Sequence, residues 1–333
     1  MDRKDFILQA ASLFLLLRYF PAMASEGSGS ALEIKKLADF VKNNLSLNPG
    51  NFKAIYADEK LRSEFAPFLK NVFNIYPDEK FHNLIAEITL KGQNDQEIYS
   101  EILKRIKEIK PLFSEFKYAL PALKKQKKEL ATETMVLIPN IKKIDGYLEV
   151  GSTGRYVSEL KKHIKMAGPM YLANVAEPTY GPVDVMERGQ IFKLGKHLPL
   201  QNYDAFSKTE IAEGSLELVA NYIGFHHCPL EKLEGFIKSL NRSLKAGGAL
   251  VLRDHDVHDA HMNHVVALAH DIFNAGLKTT WDDNHKELRH FRPLEEWVKL
   301  LADFGFEKSS GPIYQQGDPT KNALVLFKKT KTV

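Results

Sequence analysis

Side chains that move protons or hold metals crowd two short stretches of this chain. His226, His227 and Cys228 follow one apolar run, and Arg253, Asp254, His255 and Asp256 close another. A histidine is a suitable base near neutral pH, and a neighbouring carboxylate orients its ring and raises its basicity. His255 is the expected base, oriented by Asp254 or Asp256, with His226 as the alternative. Either His226 or His227 taken alone reads as a space-filler; the cluster reads as chemistry. From His255 a histidine recurs every third residue, at His258, His261 and His264, with Asp256 and Asp259 among them. Imidazole and carboxylate suit zinc, iron or manganese. However, three-residue spacing drifts around a helix, and the tighter HExxH pairing is absent. The expectation is therefore no metal; if one binds, His226, His255 and Asp256 are its ligands. Cys228 reads as a small apolar filler more than as a reactive thiol. Trp281, Asp282 and Asp283 either close over a substrate or form a surface loop.

Composition narrows what this chemistry serves. The 333 residues are 44% hydrophobic and 26% charged, ordinary for a globular protein and unlike a disordered chain or a polytopic membrane protein. With 46 basic and 42 acidic side chains the net charge is +4, too balanced to make nucleic acid the main partner. One cysteine excludes an internal disulfide framework and a thiolate zinc cluster.

The first 30 residues read as a leader and flexible linker. Arg3 and Lys4 precede an apolar run from Phe6 to Leu17, then come Arg18, an Ala22-Met23-Ala24 triplet and a Ser/Gly stretch. That order matches an export signal with an A-x-A cleavage site. Arg3 to Leu8 also resembles a twin-arginine signal, with Lys4 in place of the second arginine. An exported or envelope-associated protein is expected, with contact to membrane or export machinery through residues 1–24. The alternative is a cytoplasmic protein with a buried N-terminal helix.

Residues 31–135 read as a helical N-terminal domain. Apolar residues recur at helical spacing, as in Leu32, Leu37, Phe40 and Val41, and again in Ile98, Ile102, Ile106 and Ile109. Breaks fall at Asn48-Pro49-Gly50, Tyr76-Pro77-Asp78 and Lys91 to Asp95, and Pro111 and Pro121 bound a further short helix. The period then changes. Residues 136–333 read as a second domain in which strands alternate with helices. Strands are expected at 146–150, 170–175, 196–200 (or 190–194), 215–223, 249–253 and 322–328. Helices are expected at 156–164, 230–244, 263–273 and 294–304. Such alternation makes an α/β, Rossmann-like, doubly wound and mainly parallel sheet, preceded here by an all-α domain. Ligands of these sheets bind at the carboxyl ends of the strands.

At the end of the first strand, Glu149-Val150-Gly151-Ser152-Thr153-Gly154-Arg155 turns the chain into a helix. Two glycines let the backbone turn tightly and approach a ligand closely. The spacing is G-x-x-G, not the dinucleotide G-x-G-x-x-G. The segment resembles motif I of the class I S-adenosylmethionine-dependent methyltransferases (type 11-like), in a form one residue shorter or with Thr153 at the middle glycine. Leu216-Glu217-Leu218-Val219 resembles the fourth-strand motif of that family, and Asn221 to His227 the segment flanking the methyl end of the cofactor. Arg242 to Gly248 resembles the R-x-L-x-x-G-G turn, and Phe291 to Phe306 the late helix with its Gly-Phe turn. The resemblance covers about 144–328 and implies a seven-stranded sheet.

It also implies S-adenosylmethionine as cofactor. Glu149, Gly151, Ser152, Thr153 and Gly154 would line the methionine and ribose side, and Asn221 would lie near the methyl end. Glu177 would grip the ribose, with Asn174 as competitor. Asn202, Tyr203 and Asp204 would contact adenine, although Tyr203 reads equally as a loop aromatic on the core. The implied reaction is in-line methyl transfer to a small molecule or peptide segment. The rival readings are a non-catalytic cofactor-binding or scaffold module and a metal-dependent enzyme using the His/Asp cluster.

Overall fold

The computed structural model describes residues 50–111, 115–179, 181, 185 and 192–333. The leader read in residues 1–30 and the helical positions at 32–41 lie outside the described residues.

The described residues of the N-terminal region form helices: α1 (Asn51–Tyr56), α2 (Glu59–Pro67), a π-helical turn (Phe68–Phe73), α3 (Asp78–Lys91), α4 (Asp95–Ile109), a second π-helical turn (Glu115–Ala119) and α5 (Leu120–Leu137). Starts follow local chemistry. Asp58 caps α2 by accepting from the Leu61 amide, and Asn94 caps α4 by accepting from the Glu97 amide. Pro121 sits in the first turn of α5, where its missing N–H costs nothing.

The sheet region follows as β1 (Lys143–Val150), α6 (Arg155–Leu160), β2 (Lys165–Asn174), β3 (Lys196–Pro199), β4 (Leu216–Asn221), α7 (Leu230–Ser243), β5 (Leu244–His255), α8 (Ala260–Gly276), α9 (Trp281–His285), α10 (Leu294–Asp303), β6 (Phe306–Tyr314) and β7 (Asn322–Lys329). Seven strands form one sheet in the order β3-β2-β1-β4-β5-β7-β6. The first five are parallel, and β7 runs antiparallel to both neighbours. This is the α/β, doubly wound, mainly parallel sheet expected from the sequence. Strand order reverses between β1 and β4, so the carboxyl ends of those strands form the crevice where such sheets bind ligands. The strand outside the sequence expectations is β6, which carries Ser309-Ser310-Gly311-Pro312 in place of an apolar run. At a sheet edge, paired only with β7, a proline is tolerated.

Period-2 alternation buries both faces of the sheet. Leu148, Val150, Val219, Leu250 and Leu252 face α7 and α10, where Phe236, Leu240, Trp297 and Leu301 complete one core. Tyr147, Leu218, Ala220 and Val251 face the other way, against Leu130 and Leu137 of α5 and Val157 and Leu160 of α6. The last helix of the N-terminal region thus covers the sheet. A third core joins Phe52, Tyr56, Phe73, Ile85, Ile98 and Ile102 to Val265, Leu268 and Ile272 of α8. The Tyr76 hydroxyl donates to the Gly276 carbonyl at 2.8 Å, and Tyr99 donates to Thr279 at 3.0 Å. Helix α8 leaves the end of β5 and packs on the N-terminal helices, so their position is tied to the carboxyl ends of the parallel strands.

Candidate functional site

Two glycines carry the chain from β1 into α6. Gly151 and Gly154 have φ of 80° and 97°, a left-handed backbone that costs other residues about 1–2 kcal/mol. Space demands glycine too. A Cβ on Gly151 would lie 2.6 Å from Ile223 Cγ1, and one on Gly154 would lie 2.8 Å from Leu194 Cδ1.

The polar residues around this turn divide into two groups. The first shapes the backbone. Glu149 is buried; it accepts from the Tyr147 hydroxyl at 3.0 Å and from the Tyr156 and Val157 amides at 3.2 and 2.7 Å. It anchors the start of α6. Burial raises its carboxyl above the usual range, against the pull of these donors. Ser152 Oγ accepts from the Gly154 and Arg155 amides, each at 3.1 Å. Asn221 accepts from the Ile223 amide and donates to the Gly224 carbonyl, each at 3.2 Å, closing the turn after β4.

The second group has buried polar atoms with no hydrogen-bond partner among the described residues: Thr153 Oγ1, Asn174 Oδ1, Asn202 Oδ1 and the Tyr203 hydroxyl. Folded proteins rarely leave such atoms unpaired. Here they sit beyond the ends of β1, β2 and β3, where a polar ligand belongs. Asn174 closes β2 beside the glycine turn, whose Gly151 amide donates to the Ala173 carbonyl at 2.7 Å. Glu177 lies further along and is exposed. Asn202 and Tyr203 are consecutive left-handed residues, φ 48° and 58°, a strained conformation of the kind concentrated at ligand sites. The Tyr203 ring packs edge-on against Phe236, 5.2 Å between centroids. Asp204 is exposed and pairs with Lys232 at 2.6 Å.

The other half of the site lies at the ends of β4 and β5, which are neighbours through Asn221 and Leu252. Asp254 is fully buried. Its Oδ2 accepts from the Phe225 amide at 2.7 Å, and its Oδ1 from the His255 amide at 2.8 Å and from His226 Nδ1 at 2.6 Å. The carboxylate therefore orients His226, not His255. Burial raises the Asp254 carboxyl, and its donors counter this. Gly224 (φ 80°) lets the backbone pass close by: a Cβ there would lie 2.5 Å from His226 Nδ1. His255 instead turns its Nδ1 to the Thr320 carbonyl at 2.9 Å. Burial and the neighbouring histidines hold both His226 and His255 well below the usual imidazole range, so both rings are neutral. Asp256 faces away. It accepts from the Leu294 amide at 2.8 Å and the Tyr314 hydroxyl at 2.6 Å, and pairs with His258 at 2.8 Å.

The histidine row does not converge. His258 and His261 are exposed, and His264 bonds Asn51 Oδ1 at 3.1 Å. The ring that joins His226 and His255 is His270, two turns further along α8 and absent from the sequence candidates. Its Nε2 lies 3.4 Å from His255 Nε2, and its Nδ1 lies 3.0 Å from Glu287 Oε1. The signal for it was the polar pair His270-Asp271 inside an otherwise apolar run. His227 Nδ1 donates to the Leu288 carbonyl at 3.1 Å, and burial lowers its pKa to about 4. Cys228 is fully buried, and burial pushes its thiol up, as suits an apolar filler. Trp281 packs edge-on to Tyr99 at 5.4 Å, as part of the helical core's rim.

Glu287 and its neighbours form a buried polar network. Its Oε2 accepts from Arg289 at 2.9 Å and from Asn274 at 2.7 Å. Arg289 also donates to Asp271 at 2.8 Å, which accepts from Asn284 and Asn51 at 2.8 Å each. Burial opposes charge on Glu287, but Arg289 and His270 outweigh it and hold the carboxyl well below the usual range. Arg289→Met leaves two buried carboxylates without their cation, an expected loss of about 3–5 kcal/mol. Urea unfolding measures it; a loss under about 1 kcal/mol would show that the network does not brace this site.

No family model matches the chain, and no curated protein matches it. Solved structures do. CalH, a trans-methyltransferase in complex with S-adenosylhomocysteine, is similar over 97% of this chain and 88% of its own, at 12% identity and a TM-score of 0.45. The 1,6-didemethyltoxoflavin-N1-methyltransferase of Burkholderia thailandensis, with its substrate and S-adenosylhomocysteine bound, is similar over 62% of this chain and 78% of its own, at 9% identity and a TM-score of 0.41. The N-methyltransferase NodS of Bradyrhizobium japonicum WM9, also with S-adenosylhomocysteine, is similar over 61% and 87%, at 13% identity and a TM-score of 0.39.

Proposed function

We propose that this protein is an S-adenosylmethionine-dependent methyltransferase acting on a small molecule or a peptide segment. The observation that carries the reading is the left-handed two-glycine turn at the strand-order switch, together with buried polar atoms of Thr153, Asn174, Asn202 and Tyr203 that have no partner among the described residues. Asn174 would meet the ribose hydroxyls, and Asn202 with Tyr203 the adenine edge. The glycine turn would let the backbone approach the amino-acid portion. The cofactor supplies a methyl group on a sulfonium, a good leaving group.

The chain's own task is to place the acceptor in line and take its proton. His226 is the base proposed for that step in the metal-free protein. Its Nδ1 is held by Asp254, its Nε2 is buried with no partner among the described residues, and its ring is neutral. Ile223 and Gly224 link the two halves of the site: Ile223 packs over Gly151, and Gly224 lies against the His226–Asp254 pair. The N-terminal helices, fixed through α8, would cover the acceptor side.

Calorimetry with S-adenosylhomocysteine tests the reading first; no heat and no thermal shift would remove it. His226→Gln is then expected to bind the cofactor product normally and to slow transfer about 10²–10⁴-fold, followed with methyl-labelled cofactor and host extract as acceptor source. Unchanged turnover would remove His226 as the base.

A further inference from the structure

Three imidazole nitrogens converge where the ends of β4 and β5 meet α8. His226, His255 and His270 stand with ring centroids 5.3, 5.3 and 5.5 Å apart. One nitrogen from each lies within 4.8 Å of the others. The rings come from three separate elements, so local sequence geometry does not force them together.

The hydrogen bonds decide which nitrogens face inward. The Nδ1 of His255 meets a backbone carbonyl, which can only accept, so that nitrogen carries the proton. The Nδ1 of His270 meets Glu287, whose other oxygen is taken by Arg289. The Nδ1 of His226 meets Asp254, both of whose oxygens already accept backbone amides. Each Nδ1 is thus committed to a carbonyl or a carboxylate, which leaves the three Nε2 atoms turned toward one another. Two of them face each other at 3.4 Å, and the third is buried with no partner among the described residues. Histidines that ligate a metal show this pattern, with the far nitrogen donating to a carboxylate or carbonyl that fixes tautomer and ring. The 3.4 Å separation also matches the edge of a tetrahedron whose metal–nitrogen bonds are about 2.0–2.1 Å.

We propose that His226, His255 and His270 form, through their Nε2 atoms, a three-imidazole site for a divalent transition-metal cation, with zinc the ion it fits best. Neutral nitrogen ligands select this class over magnesium or calcium, which take oxygen. A three-histidine set leaves the fourth position of a tetrahedral ion open to water or substrate. Asp256, the third ligand expected from the sequence, is replaced by His270. The alternative trio of His227, His270 and Glu287 is less suited, because the Nδ1 of His227 is already committed to the Leu288 carbonyl. The site stands on histidine geometry alone and does not rest on the methyltransferase reading. It does bear on it: an imidazole whose Nε2 holds a cation cannot serve as base, so a bound cation would take over activation of the acceptor.

The test uses the full chain, stripped with a chelator, dialysed and titrated with Zn²⁺ by calorimetry and with Co²⁺ by visible absorption. One cation per chain is expected, with the Co²⁺ spectrum of a four-coordinate site of three nitrogens and a water. His226→Ala and His270→Ala should each weaken binding at least about 100-fold, and Glu287→Gln about 10–100-fold. His227→Ala and His261→Ala should bind as the parent does. Circular dichroism confirms folding of each variant, and His270→Gln replaces any alanine variant that does not fold. No binding by the parent, unchanged binding by the His270 variants, or loss in His227→Ala with retention in His226→Ala would each overturn the proposal. A chain that binds zinc but not S-adenosylhomocysteine would leave this site standing and sink the methyltransferase reading; the reverse result would sink only this site.

Discussion

Gly151→Val is expected to abolish S-adenosylhomocysteine binding while the chain stays folded. Two effects add at this position. The backbone is left-handed, φ 80°, which a β-branched residue adopts at a cost of about 1–2 kcal/mol. The new Cβ would also lie 2.6 Å from Ile223 Cγ1 and 2.8 Å from Cγ2, so the turn, Ile223 or both must move. Movement of Ile223 propagates to Gly224 and the His226–Asp254 pair. Movement of the turn withdraws the backbone from the cofactor. Gly214→Ala is the control. It also has a positive φ, 62°, but a Cβ there meets nothing within 4 Å. It should lose about 1 kcal/mol of stability and bind as the parent does. Calorimetry on both variants reads the result. Parental affinity in Gly151→Val would mean that the cofactor does not sit on this turn.

Asp254→Leu is expected to cost about 3–6 kcal/mol, enough to threaten the fold. Three donors lose their acceptor in one step: the Phe225 amide, the His255 amide and His226 Nδ1. Each is a group at the ends of β4 and β5, and a buried unpaired donor costs about 1–3 kcal/mol. Leucine offers these donors no oxygen. Asp254→Asn keeps one acceptor oxygen and the shape, so it should fold, lose less stability, and free the His226 ring to turn. Denaturant unfolding of both variants gives the ordering Leu below Asn below parent. If Asp254→Leu unfolded within about 1 kcal/mol of the parent, the carboxylate would not be the keystone of this corner.

The sheet was legible because its signals are local. Apolar runs buried on both faces, such as Leu218 to Ala220 and Ala249 to Leu252, mark strands of a sheet covered on both sides. The glycine turn was legible for the same reason: Gly151 and Gly154 answer to backbone torsions of their own short segment. β6 was not, because what makes it a strand is pairing with β7, and its own Gly311-Pro312 argues the other way. The hydrogen bonding of the candidate cofactor residues was not legible. Glu149 and Ser152 carry the signature of ligand contacts, yet the helix start they hold uses up their hydrogen bonds. Asn174, not the exposed Glu177, ends β2 with an unpaired buried oxygen.

The histidine cluster marks the same division more sharply. Sequence alone placed His226, Asp254 and His255 at neighbouring strand ends, since β4 and β5 are adjacent in any sheet of this order. It paired Asp254 with the wrong ring, because adjacency along the chain says nothing of which way successive side chains point from a strand. It followed the row His255, His258, His261 and His264 from the end of β5 into α8 and stopped short of His270. His270 lies in an apolar run that reads as pure core. It reaches the other rings only because α8 is clamped between the N-terminal helices and the end of the sheet, and because a buried network from Asn51 to Arg289 holds Glu287 against it. Residue types and periodicity determined the fold and brought His226, Asp254 and His255 to neighbouring strand ends. Convergence of side chains 15 to 44 residues apart, His255 and His226 with His270, was decided by tertiary packing, because hydrogen-bond direction is a property of positions in space and not of spacing along the chain.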